Sequence, residues 1–547
     1  MPIIVPDNAR APDTPDDVEI RMEAREPDLD PTLGITVPPK PEWGTTAPVN
    51  RLVTIGDSLT HGFQSGAIFN TRLSWPMIVA WEMGWDEFFR HPTYDAHGGL
   101  PLNIEYLVRD LEHRYGSSIN VLELPLAVMR LRSLMARVED YWERGPGAEP
   151  PVTSGIMHNL AVYGWDLRDA LSRTDATLKV SIKKPKDDLL KQVVENANER
   201  AARRVYASAY DQKRALTVFE AAAKLGTAGA RKQDGTIDTG ADGIETLIVM
   251  LGANNALGAV TSLQVRWSGA GFDSLDGKAA YNVWRPSHFI QEFNEIAGQL
   301  RNVRARHVIF GNVPHVTIAP IARGVARKVR EGSRYFPYYT RPWISDGQFK
   351  AVDDPHLTET QARAVDSAID QYNDHIATVV KQARQDGLDW YVLDIAGMLD
   401  RLACRRYQDD ISARPAWWYP YELPPELTAL DPVPDSRFFR AGPSGRTAGG
   451  LFSLDGVHPT TVAYGLVAQE FINIMQRAGV KFHFGDRVTE RTGPVRVDFT
   501  RLIAADTLIA SPPASLDADL KLLGWLDNTV DWVGRVLPFH GSRTIGN

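Results

Sequence analysis

The stretch RLVTIGDSLTHG, residues 51–62, decides how this chain is read. Its first six residues form an apolar run of the kind that fills a buried strand, and the run stops at a small, polar, turn-forming cluster that contains Ser58. In an open parallel sheet, ligands sit beyond the carboxyl ends of the strands, where loops and helix starts converge. A serine at that place is either a nucleophile or a residue that caps the following helix.

Working outward, four further apolar runs have the same character: HNLAVYG (158–164), ETLIVMLG (245–252), RHVIFGNV (306–313) and DWYVLDI (389–395). Each is followed, sooner or later, by a segment of helical periodicity. That alternation predicts an α/β protein whose mainly parallel sheet is covered on both faces. A helix is expected over 358–385, where Thr358 and Gln361 fit a capping box and Ala362, Val365, Ile369, Ile376 and Val380 recur at helical spacing. Another is expected over 461–475. The Lys-, Glu-, Arg- and Ala-rich stretch 186–225 reads as a solvent-facing helical excursion.

Residues 1–50 hold ten prolines among many acidic residues and predict an extended arm. A main domain is expected over 51–480, enlarged by insertions at about 65–155, 172–243, 256–287, 315–357 and 400–450. The Pro-, Gly-, Trp- and Tyr-rich parts, 331–350 and 403–450, read as loops that roof a site. A C-terminal extension, 481–547, carries an amphipathic helix over 516–537 with Leu516, Leu520, Leu523, Leu526, Val530, Val533 and Leu537 on its apolar face. Docking on the protein's own core is the expected use of that face; Trp525 and Trp532 leave an interfacial use open, while Asp517, Asp519, Asp527 and Asp531 argue against anionic lipid.

The net charge of −8 arises from 68 acidic and 60 basic residues dispersed along 547 positions, which speaks against a nucleic-acid-binding protein. The single cysteine, Cys404, cannot form an internal disulfide, and no Cys/His set has zinc-ligand spacing. No apolar run reaches 18 residues and no secretory pattern opens the chain, so no transmembrane segment and a cytoplasmic location are expected.

A hydroxyl needs a base to attack a carbonyl, normally a histidine oriented by a third group. LFSLDGVHPTTVAYG, residues 451–465, supplies both on one turn: Asp455 can bond one ring nitrogen of His458 and leave the other facing Ser58. The negative oxygen formed in acyl transfer requires fixed donors, for which the backbone N–H groups of Ser58 and Gly164 and the side-chain amide of Asn254 are candidates. Each has a plainer reading: Ser58 as a helix cap, Gly164 and Asn254 as turn or cap residues, Asp455 as a turn former, His458 as a surface histidine. His61, His97 and His315 are expected to line the pocket or serve structure alone, and Cys404 to be a buried thiol.

The order and wording of these blocks resemble the SGNH, or GDSL, hydrolase family of lipases and esterases. GDSL (56–59) resembles the nucleophile block, NLAVYG (159–164) the glycine block, GANN (252–255) the Gly-x-Asn-Asp block with Asn255 in place of the aspartate, and DGVHPT (455–460) the Asp-His block. The resemblance implies a flavodoxin-like three-layer α/β/α sandwich. It also implies a serine ester hydrolase with the triad Ser58, Asp455 and His458, an oxyanion hole of Ser58, Gly164 and Asn254, and neither cofactor nor metal. The expected substrate is a small-molecule, lipid or carbohydrate ester. An acyltransferase using the same site, and a noncatalytic binding or scaffold protein on the same fold, remain open alternatives.

Overall fold

In the computed structural model, which describes residues 9–40, 43, 46–120, 122–153, 155–185, 193–206, 215–227 and 241–516 with positions 524, 533 and 537, residues 51–56 lie within a longer strand. This strand is β1 (Pro48–Gly56). It heads a parallel sheet with β2 (Ala241–Met250), β3 (Ala305–Gly311) and β4 (Trp390–Leu393), in that spatial order. The register aligns Gly56 with Met250 and Met250 with Gly311, so three strands end together.

Consecutive side chains of these strands enter opposite cores, as a pleated strand requires. Val53, Leu247, Val308 and Phe310 lie in one core; Leu52, Ile248, Ile309 and Tyr391 lie in the other. Seven helices matter for the site: α1 (Ser58–His61), α2 (Trp75–Glu82), α3 (Ala197–Tyr206), α4 (Pro286–Leu300), α5 (Glu359–Gln385), α6 (Ile395–Leu402) and α7 (Thr461–Arg477). Phe293 and Ile296 of α4 with Ile369 and Ile376 of α5 fill the first core. Val79 of α2 with Leu466, Phe471 and Ile472 of α7 fill the second. Each such fully buried side chain contributes roughly 1.5–3 kcal/mol by leaving water. A sheet with apolar cores on both faces is compatible with a three-layer arrangement.

The helix expected over 358–385 begins where its capping box predicts: the Thr358 hydroxyl accepts the Gln361 N–H, and the Gln361 side chain accepts the Thr358 N–H. The run 158–164 departs from expectation. It reaches β1 through a single parallel bridge, Thr54 to Asn159, with Leu160 N–H donating to Thr54 O at 2.8 Å and Val162 N–H to Gly56 O at 3.0 Å. On the edge away from β1, the Asn159 side chain accepts the Ala161 N–H.

The stretch 186–225 is not simply a solvent-facing excursion. Residues 186–192 and 207–214 lie outside the described residues, but α3 turns Ala197, Ala201, Ala202 and Val205 into the first core. Even its charged residues are drawn in, Arg200 donating to the Trp142 carbonyl at 3.0 Å. The loops over 331–350 and 403–450 border a different cavity from the one beside Ser58, apart from Ser436, which lines both.

Described residues 10–40 form turns and irregular structure with no α-helix or strand, and Val18 is fully buried. The amphipathic helix expected over 516–537 falls mostly outside the described residues; Leu516, Val533 and Leu537 are described and buried. Among the described residues no helix is long and apolar enough to cross a membrane.

Candidate functional site

At the end of β1 the chain must turn within a narrow space. A Cβ on Gly56 would stand 2.2 Å from the Thr60 hydroxyl oxygen and 2.8 Å from the Met250 carbonyl, so no larger residue fits there. Asp57 then caps α1, its carboxylate accepting the Leu59 N–H at 3.1 Å. Ser58 is therefore the first helical residue and not the cap. It is 5 % exposed, and neither its hydroxyl nor its N–H takes a hydrogen-bond partner among the described residues. Burial pushes the Asp57 carboxyl up to about 7, with the Leu59 and Ala253 N–H groups and His458 pulling it back.

Asp455 and His458 form the hydrogen-bonded pair that their spacing predicts. His458 Nδ1 lies 3.0 Å from Asp455 Oδ2, which also accepts the Gly66 N–H at 3.0 Å. Asp455 Oδ1 accepts the N–H groups of Val457 (2.9 Å) and His458 (2.8 Å). Burial alone would raise this carboxyl, but the His458 ring and these N–H groups hold it below the usual range. An acceptor-only carboxylate assigns the proton to Nδ1 of His458 and leaves Nε2 as an acceptor. That Nε2 is buried and has no partner among the described residues. The ring packs on Phe63 with centroids 4.5 Å apart. Gly456, at φ +66°, makes the turn between the two residues.

Ser58 and His458 line one pocket with His315 and Ser436, and the rest of its walls are apolar, among them Trp75, Met250, Ile395, Met398 and Leu402 from α6, and Leu466 from α7. Gly164 and Asn254 border a separate, much smaller cavity with Asp166, Lys278, Tyr281 and Trp284. The Gly164 N–H has no partner among the described residues. The Asn254 amide donates to the Trp165 carbonyl at 2.8 Å, which engages one of its two N–H groups. Asn255, where the resembled motif has aspartate, is fully buried with both amide atoms unpartnered, while its carbonyl accepts the Trp284 N–H at 2.7 Å.

His61 and Lys278 are built into these surroundings beyond what the sequence reading assigned. His61 Nδ1 accepts the Tyr163 N–H at 3.1 Å and Nε2 meets the Tyr94 hydroxyl at 3.0 Å, so α1 grips the chain one residue before Gly164. Burial pushes this imidazole down to about 3, which keeps it neutral. Its position three residues after Ser58 is the only trace of that grip in the sequence. Lys278, buried at 2 % exposure, clamps Asp166 at 2.7 Å and also pairs with Asp169. No spacing signal links it to a glycine more than a hundred positions away.

His315 lines the apolar pocket and sits between Asp400 on Nδ1 (3.1 Å) and Asp370 on Nε2 (3.0 Å). Burial would lower its pKa, but these carboxylates raise it to about 10, so it is an imidazolium at neutral pH. His97 is in a loop, edge-on to Tyr141. Cys404 is buried, which pushes its thiol up, away from reactivity. Among the described residues no cluster of His, Cys, Asp and Glu could hold a metal ion. No family model and no curated protein matches this chain.

Proposed function

We propose that the protein is a serine ester hydrolase of the GDSL kind, working through an acyl-enzyme. His458, its proton fixed on Nδ1 by Asp455, takes the Ser58 proton on Nε2 as Ser58 Oγ attacks the ester carbonyl. The N–H groups of Ser58 and Gly164 and the second N–H of Asn254 meet the developing oxyanion. His458 then protonates the leaving alcohol, and a water activated by the same nitrogen releases the acid. One observation carries the reading: a histidine held by a buried carboxylate, with its other nitrogen unpartnered, shares a pocket with an unpartnered serine. The apolar walls suit the aliphatic part of an ester. If the 158–162 stretch is counted as an edge strand beside β1, the strand order is 2-1-3-4-5, which supports a flavodoxin-like fold.

A noncatalytic scaffold on the same fold is favoured by one feature, the placement of Gly164 and Asn254 on a separate cavity. A fluorophosphonate probe separates the two readings. The full chain is expected to be labelled on Ser58 and to cleave aliphatic esters, with both properties lost in Ser58→Ala and turnover unaffected by a chelator. No labelling and no turnover in folded protein would establish the scaffold. Product analysis with added alcohol distinguishes transfer from hydrolysis.

A further inference from the structure

Beyond the wall of the Ser58 pocket lies a second cavity, of about 360 Å³, lined by six arginines, Arg323, Arg334, Arg405, Arg406, Arg437 and Arg440, against one carboxylate, Asp409. The segment 314–320 is the common wall: Pro314, His315, Val316 and Ala319 face the Ser58 pocket, while Thr317, Ile318 and Pro320 face the arginines. Ser436 borders both.

Several of these cations are accounted for. Arg406 pairs with Asp366 at 2.8 Å, Arg323 with Asp346 at 2.6 Å, and Arg437 with Asp409 at 2.6 Å. Two are not. Arg334 is 6 % exposed; its Nε donates to the Tyr335 hydroxyl at 3.0 Å and the Tyr407 hydroxyl stands close enough to interact with it, while neither buried terminal nitrogen meets a well-aligned hydrogen-bond partner among the described residues. Asp366 and Asp370 act on it only from beyond ion-pair distance. Arg405 donates to the Gly324 carbonyl at 2.8 Å and lies over the Phe336 ring, again with no carboxylate within ion-pair distance among the described residues. Burial lowers its pKa, the mark of a cation short of countercharge.

A guanidinium withdrawn from water without a countercharge is costly, and a cavity walled by several planar guanidinium groups matches the oxygens of a tetrahedral dianion. We propose that this cavity binds a phosphate group, held by Arg334 and Arg405. The group comes from free phosphate or from a phosphate carried by an ester in the adjoining pocket; the recognising chemistry is the same.

Calorimetric titration of the full chain with sodium phosphate, against sodium chloride at matched ionic strength, tests the site without any requirement for catalysis. Saturable binding of phosphate alone is expected, weakened about tenfold or more in Arg405→Gln, since hydrogen bonds to charged groups are worth at least that. Arg405 is half-buried, so this variant is expected to fold; Arg334→Lys, which keeps the charge but loses the fork, should weaken binding as well. Equal response to phosphate and chloride, or undiminished binding in both variants, overturns the proposal. A pair of esters of one acid, with a phosphorylated and a neutral alcohol, identifies the source. A lower KM for the phosphorylated ester, lost in Arg405→Gln, marks a substrate group; equal KM with intact phosphate binding marks free phosphate. Failure of the hydrolase reading would leave the titration interpretable.

Discussion

Ser58 shows how little one residue type decides. As the first residue of α1, with Asp57 as the cap, it is freed from the capping duty that its sequence position equally allows. The Asp455–His458 pair was legible because it is local: three residues on one turn fix both partners, whatever the rest of the chain does. The surroundings of Asn254 were not legible, because its cavity is closed by Lys278, Tyr281 and Trp284 from a later segment. This residue offers a sharp test. If its free N–H meets the oxyanion, Asn254→Ala should slow acylation about 10² to 10³-fold with little change in ground-state binding. If it only anchors the Trp165 carbonyl, the same variant should melt earlier and acylate normally per folded molecule. Single-turnover kinetics and a melting curve on one preparation distinguish these outcomes.

Between elements, long-range pairs do what periodicity cannot announce. The helix 359–385 was readable to within a residue, since its capping box and apolar stripe are written in adjacent positions. That its buried face carries Asp370, and that Asp370 meets His315 after β3 while Asp400 on α6 meets the other nitrogen of the same ring, was not readable; a buried carboxylate looks like any surface one until its partner is known. The parallel edge at 158–162 reaches β1 through one bridge and the N–H groups of Leu160 and Val162, too short a pairing for the apolar run alone to announce its extent. The His315 clamp carries a pH signature. Its folded pKa of about 10 lies above the unfolded value, so its stabilisation is fully present below about 6.5 and is lost as pH rises through about 10. His315→Gln should therefore cost about 3–5 kcal/mol at pH 7 and remove part of the decline in wild-type stability between pH 7 and 10. Denaturant unfolding of both proteins across that range measures it; parallel pH curves would show that the ring is not charged.

At the scale of the whole molecule, the proline-rich arm is tied to the pocket through one carboxylate. Arg25 pairs with Asp394 at 2.9 Å, the Asp28 N–H donates to the same carboxylate at 2.6 Å, and the Val392 N–H of β4 donates to the Pro31 carbonyl at 3.1 Å. Asp394 in turn caps α6 through the Gly397 N–H at 2.8 Å and accepts the Asn312 amide at 2.8 Å. Ile395, Met398, Leu399 and Leu402 of that helix wall the apolar pocket. Composition predicts an arm without regular structure but not its anchoring, because the anchoring charge of Asp394 sits more than three hundred positions from Arg25. Burial would raise the Asp394 carboxyl, yet Arg25 and the N–H donors hold it below its ordinary value. The stability it contributes is therefore present above about pH 4 and is lost as pH falls through the depressed folded value. Arg25→Met leaves that carboxylate buried without its countercharge and should cost about 3–5 kcal/mol at pH 7, with the gap to wild type closing under acid as Asp394 takes a proton. Because α6 is the wall loosened, the proposed hydrolase activity should, in this variant, fall more for long-chain than for short-chain esters. Unfolding curves at pH 7 and below 4, with KM measured over an acyl-length series, test both parts. A stability loss that persists unchanged in acid would place the arm's contribution in packing and not in this ion pair.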